Sequence, residues 1–147
     1  MYSSLVGGSH RWCVDLEELS LLVVEDDQLI RESLLDWLDS VLPQWDLLGI
    51  SSGEMVELAH GESPHTIVVD LTSPNGDRVD LVRRVTRQFP QADVVALTMR
   101  GDYATRRAVL KAGASASLPI WKLSEKLELV LRRLLEDMHR ERVEQRP

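Results

Sequence analysis

The sequence predicts an α/β fold, a doubly wound five-stranded parallel sheet with helices on both faces. Two observations lead there. From Leu19 onward, short apolar runs alternate with longer amphipathic segments, the mark of repeated strand-helix units. The first of these runs is unbroken, as a strand covered on both faces requires. The length sets the scale. A chain of 147 residues buries roughly 70% of its unfolded surface, which suits one core and leaves no room for a second independent domain. Hydrophobic residues at 44% and charged residues at 28% match a globular domain, and 8 Gly with 6 Pro leave no low-complexity stretch to explain.

The first strand spans Leu19 to Val24 and stops at Glu25-Asp26-Asp27. These acids open a helix in which Leu34, Trp37, Leu38 and Val41 recur at helical spacing, until Pro43 closes it by forcing its predecessor out of helical geometry. Trp45 to Ile50 reads as a second strand, weakened by Asp46 and Gly49, and Ser51-Ser52-Gly53 then turns into a short helix from Glu54 to Ala59. Thr66 to Val69 is the third strand, β-branched and ending in Asp70. Leu71 to Gly76 is a loop with turn chemistry at Pro74-Asn75-Gly76. The next helix carries Leu81, Val82, Val85 and Phe89 and ends before Pro90. Val94 to Leu97 is the fourth strand, ending at Thr98. Tyr103 to Ala112 is the fourth helix, with Gly113 placed for a left-handed cap. Ala116 to Pro119 is the fifth strand, with Pro119 confined to its end. Ser124 then caps a long last helix. The expected organisation is a flexible lead over 1–18, a folded unit over 19–138 and a polar tail over 139–147.

Charge and cysteine content narrow the function. Seventeen Lys and Arg against 24 Asp and Glu leave a net charge of −7, which opposes non-specific binding to nucleic acid or an anionic membrane and favours cationic partners, metal ions included. A lone Cys13 forms neither an internal disulfide nor a cysteine metal cluster, so the expected compartment is the cytoplasm, and Arg11, Trp12 and Cys13 read as surface decoration of the lead. No apolar run approaches the ~20 residues of a membrane span.

In an open parallel sheet, ligands bind at the carboxyl ends of the strands, beside the point where strand order reverses. Those ends carry Glu25, Asp26 and Asp27 after the first strand, Asp70 after the third and Thr98 after the fourth. Clustered carboxylates repel unless protonated or bridged by a cation. A hard divalent ion such as Mg²⁺ suits one or two carboxylates with a backbone carbonyl and a phosphate oxygen. The four histidines, His10, His60, His65 and His139, are scattered and supply no zinc site. Taken singly, each acid has a plainer role: Glu25 to Asp27 favour a helix N-terminus through the macrodipole, and Asp70 is then an ordinary loop acid.

Leu22-Val23-Val24-Glu25-Asp26-Asp27, then Val68-Val69-Asp70-Leu71 followed by Pro74 and Gly76, then Ala96-Leu97-Thr98, resembles the receiver domain of two-component response regulators. The resemblance runs from about Leu19 to Glu136. It implies a flavodoxin-like (βα)5 three-layer sandwich. It further implies a phosphorelay switch in which Asp70 accepts a phosphoryl group from a sensor histidine kinase, a phosphotransfer protein or a small phosphodonor. In that scheme Glu25, Asp26, Asp70 and the backbone carbonyl of Thr72 hold Mg²⁺, Asp26 directly and Glu25 through water. Thr98 donates its hydroxyl to the phosphoryl oxygens and reshapes the face built by the fourth helix, fifth strand and last helix. Activity is confined to self-phosphorylation and slow self-dephosphorylation.

Three positions depart from the family pattern. The lysine that such receivers carry at the end of the fifth strand, and the proline after it, fall on Ile120 and Trp121, with Lys122 two residues beyond the lysine position. Losing that ammonium removes a charge-assisted contact worth roughly 1.5 to 3 kcal/mol. Ser117 stands where an aromatic switch is common, and Met99 where a small residue usually leaves room for phosphate. Two function classes follow: a Mg²⁺-dependent phospho-accepting receiver, favoured by the intact carboxylates, and a phosphorylation-independent pseudo-receiver acting as a protein-protein interaction module. A hydrolase or nucleotide-binding enzyme finds no nucleophile elbow and no glycine-rich phosphate loop.

In the last helix, Leu123, Leu127, Leu131 and Leu134 fill a core-facing stripe, while Leu129 and Leu135 widen the apolar arc and Trp121 stands ready to join it. The wider arc fits either a thickened core edge or a partner surface, including a homodimer through the fourth-helix to last-helix face. The polar residues from Arg140 read as a solvated helix end or linker. Output then passes either through a docking protein or through an output domain of a longer regulator.

Overall fold

The computed structural model describes residues 3–4, 19–58, 63–72 and 78–144. Five strands form its parallel sheet: β1 (Leu19–Val24), β2 (Trp45–Ile50), β3 (Thr66–Asp70), β4 (Asp93–Thr98) and β5 (Ala116–Pro119). A two-residue edge strand, Ser3–Ser4, pairs with β2 and so draws part of the expected lead onto the sheet. The order across the sheet is the Ser3–Ser4 edge strand, β2, β1, β3, β4, β5, with every neighbour parallel. Strand order reverses at β1, because the chain steps to β2 on one side and then crosses to β3 on the other. That reversal opens a crevice above the carboxyl ends of β1 and β3.

The helices are α1 (Gln28–Val41), α2 (Val79–Gln88), α3 (Tyr103–Lys111) and α4 (Leu123–Glu144). Asp27 caps α1 by accepting from the Ile30 N–H at 3.0 Å, and Asp102 caps α3 by accepting from the Thr105 N–H at 2.7 Å, satisfying N–H groups that have no partner inside the helix.

Side chains alternate across each strand, so the sheet divides the apolar residues into two cores. On one face Leu22, Val24, Ile67 and Val69 pack with Leu81, Val82 and Val85 of α2 and Val109 of α3. On the other, Leu21, Val23, Val68 and Leu97 meet Leu34, Leu35 and Leu38 of α1 and Leu127 and Leu131 of α4. Each such buried side chain contributes about 1.5 to 3 kcal/mol relative to exposure, so these two layers hold the carboxyl-end rim in place.

Three local details differ from expectation. The short helix expected over Glu54 to Ala59 is a single 3₁₀ turn, Glu54–Glu57. Ser51 and Glu54 close it reciprocally, the Ser51 N–H and Oγ donating to Glu54 Oε1 at 3.1 and 2.9 Å, and four residues are too few to sustain an α-helical nucleus. Ser124 does not cap the last helix. A 3₁₀ turn, Ile120–Lys122, feeds directly into α4, the Leu123 N–H bonding the Ile120 carbonyl, so Ser124 lies inside the first α-helical turn. Helix α4 also continues through Glu144, so the tail expected from 139 begins as helix. The backbone at Gly113 has φ +116°, and a Cβ there would stand 2.8 Å from Thr86 Cγ2, so both conformation and space call for glycine. Arg11, Trp12, Cys13, His10, Ala59, His60 and the Pro74-Asn75-Gly76 turn lie outside the described residues. No helix among the described residues is long and apolar enough to cross a membrane.

Candidate phosphoacceptor site

Register builds the site. In the β1–β3 pair Val24 stands opposite Val69, so the residues that follow, Glu25 and Asp70, emerge side by side at the rim. In the β3–β4 pair Asp70 stands opposite Leu97, which puts Thr98 one step beyond it. All three are buried, with Glu25 at 5%, Asp70 at 4% and Thr98 at 3% exposure, although polar residues of this kind rarely go inside without a partner.

Glu25 and Asp70 stand side by side at the rim, close enough for Asp70 to bear on the ionisation of Glu25. Burial is the main reason that the Glu25 carboxyl is pushed up to about 8. The Asp70 hydrogen bond and the charges of Asp70 and Asp26 add to the shift, and the Asp27 N–H, donating to Oε1 at 3.0 Å, opposes it. Asp70 is oriented by Thr72, whose N–H and hydroxyl both donate to Oδ1, at 2.8 and 2.6 Å.

Asp26 is held differently. Its Oδ1 accepts from the Ser52 N–H at 2.6 Å, and its Oδ2 accepts from Ser52 Oγ at 3.1 Å and from the Arg78 guanidinium at 2.6 Å. Burial alone would raise this carboxyl, but the Ser52 and Arg78 donors outweigh it and hold Asp26 below the usual carboxylate range. Across the rim, the Thr98 hydroxyl donates to the Arg100 carbonyl at 2.9 Å. The guanidinium of Arg31 caps the Glu25 carbonyl at 2.7 Å.

The structure therefore places Glu25 and Asp70 side by side and gathers Asp26, Thr72 and Thr98 around the same strand ends. Among the described residues, no three His, Cys, Asp or Glu side chains converge as a ligand set for a metal ion, and Asp26 is engaged with Ser52 and Arg78. The donor chemistry still fits a hard divalent cation: two buried carboxyls side by side supply oxygen ligands of the kind such an ion takes. At the end of β5, Ile120 is half-buried against the second core, Trp121 is 61% exposed, and Lys122 is exposed on the 3₁₀ turn.

Sequence reasoning missed Ser52, Arg31 and Arg78 as partners of the rim. Arg31 carries a local signal, since it lies six residues after Glu25 and one turn into α1. Arg78 carries none, being 52 residues from Asp26.

A family profile described as the response regulator receiver domain matches residues 21–131. The KDP operon transcriptional regulatory protein KdpE of Escherichia coli is 30% identical over 122 residues, 78% of this chain and 52% of that protein. The response regulator MprA of Mycolicibacterium vanbaalenii is 30% identical over 121 residues, 80% of this chain and 52% of that one. The chain thus spans about half the length of the curated relatives it matches. Among solved structures, the RcsB response regulator of Salmonella typhimurium superposes with a TM-score of 0.69 at 19% identity, covering 82% of this chain and 61% of that one. The BeF3-activated DrrB receiver domain superposes with a TM-score of 0.63 at 21% identity, covering 81% and 98%. At these identities the superpositions speak for the fold.

Proposed function

The chain belongs to the response regulator receiver domain family, a family of signalling switches, and from that premise we propose that Asp70 is its phosphoacceptor in a Mg²⁺-dependent two-component phosphorelay. The observation that carries this reading is the burial of Asp70 and Glu25 side by side at the point where strand order reverses. Two carboxyls desolvated together have no packing role that an apolar pair would not fill better. A site for a cation and a phosphoryl group needs them.

Thr72 fixes the Asp70 carboxylate by its two bonds to Oδ1, so that the group is aimed before a donor arrives. A carboxylate oxygen then attacks phosphorus. The new O–P bond forms as the P–N bond of a phosphohistidine breaks, and the imidazole leaves with the electron pair and takes up a proton. Mg²⁺, held by Glu25, Asp70, the Thr72 carbonyl and Asp26 once Asp26 is free, would neutralise charge on the phosphoryl oxygens. Thr98 turns from the Arg100 carbonyl to the phosphoryl group, and that exchange of acceptors links the chemistry to the loop after β4. The donor is a sensor histidine kinase or phosphotransfer protein, the setting is the cytoplasm, and the output is a changed surface read by a protein partner or an output domain.

Incubation with acetyl phosphate and Mg²⁺ followed by intact-mass measurement tests the reading. Wild type gains one phosphoryl group and Asp70→Asn gains none. Absence of labelling in wild type supports instead the phosphorylation-independent interaction module, and equal labelling of Asp70→Asn moves the acceptor elsewhere.

A further inference from the structure

The reading above leaves Arg78 without a part, although among the described residues it makes a short ionic contact at the rim. Its guanidinium stands 2.6 Å from Asp26 Oδ2, with the two side chains only 20% and 39% exposed. It arrives from the far side of the crevice, immediately before α2, and spends none of its side chain on capping that helix. The contact therefore joins the β1 end to the β3–α2 connection. Ser52 supplies two further donors to the same carboxylate, so three protein donors converge on Asp26. Neighbouring Glu25 accepts from the Asp27 N–H, and Asp70 accepts from the Thr72 N–H and hydroxyl, none of them a charged donor.

We propose that Arg78 is a built-in competitor for the divalent ion, a resident cation on Asp26 that the metal must displace before the carboxylate can coordinate. The inference rests on the metal-dependent reading of the same rim. The physical reason is one of charge and lone pairs. A guanidinium and a divalent cation cannot both contact one carboxylate oxygen without strong mutual repulsion, and the lone pair of Oδ2 directed at Arg78 is withheld from the metal. Arg78 thereby weakens metal binding in the resting protein and stabilises the metal-free rim. Ser52, which carries no charge, competes for the lone pairs without that repulsion.

Mn²⁺ serves as the probe, because its free fraction is read directly by electron paramagnetic resonance on the full chain. Arg78→Gln, which keeps hydrogen-bond donors and removes the charge, should bind Mn²⁺ about tenfold more tightly than wild type, and Arg78→Lys should stay close to wild type. Thermal melts supply a readout independent of phosphorylation. In EDTA the Arg78→Gln variant should melt below wild type, and saturating Mn²⁺ should raise its melting temperature by more than it raises that of wild type. Mn²⁺ binding in Arg78→Gln that is equal to or weaker than in wild type overturns the competitor role while leaving the metal site standing. Absence of Mn²⁺ binding in both proteins overturns the competitor role and the metal-dependent reading together.

Discussion

The carboxyl-end rim has two sides of opposite character. On the β1–β3 side the functional groups are interior: Glu25 and Asp70 are almost fully buried, and Thr72, Asp27, Ser52 and Arg78 satisfy the acids there. On the β4–β5 side only Thr98 is interior, and the connectors beyond it turn large apolar groups outward, Met99 at 60% and Trp121 at 61% exposure. The first side is set by strand register inside a packed sheet, where a shift of one residue would exchange every core contact. The second is set by turns, which tolerate change. The acids on one side are thus held by the packed sheet, whereas the apolar surface on the other is set by its connectors.

The largest expected effect breaks the first side. Asp70→Asn should erase phosphoryl labelling completely while the protein still melts cooperatively, since the amide keeps the side chain's size and shape.

Next is the raised Glu25 carboxyl on that side. With a carboxyl pushed up to about 8 from an ordinary 4.5, the folded protein binds a proton that the unfolded chain has released. In EDTA, stability should therefore be fullest below the mid-4s and decline as pH rises through about 8. Glu25→Gln should flatten that decline, as denaturant melts across the pH range would show. A slope that Glu25→Gln leaves unchanged would mean that the proton resides elsewhere.

The second side is sharpened by Ile120→Lys. Restoring an ammonium there should strengthen the response of the protein to beryllofluoride several-fold, read as the shift in oligomeric state or partner binding, while acceptor labelling stays at Asp70. A wild type that already responds as fully as the variant would show that the rim does without this cation. The smallest effect belongs to Trp121→Ser: with most of that side chain in solvent, the change should move stability by no more than about 0.5 kcal/mol, measured by urea denaturation.

Much of this was legible before any coordinates. The unbroken run Leu19 to Val24, the β-branched Thr66 to Val69 and the Pro119 stop each report on a local requirement, burial on both faces or a missing N–H, so the strands fell where read. Glu25, Asp70 and Thr98 were legible for the same reason, because a strand end is visible as the place where an apolar run meets a polar residue. Ser124 misled because serine marks a helix start only when the preceding backbone is extended, and here a 3₁₀ turn precedes it. Arg78 was invisible, since nothing near it in the chain says which carboxylate it will face.

By itself, the sequence determined the sheet, the carboxyl-end placement of its acids and the family, because each depends on patterns within a few residues or on motifs that keep their spacing. Tertiary structure alone decided who partners whom at the rim: that Glu25 is buried beside Asp70 and that Asp26 is claimed by Ser52 and Arg78. The reason is that hydrogen bonds and ion pairs act over about 3 Å of space whatever the distance along the chain, and only packing brings residues 26, 52 and 78 that close.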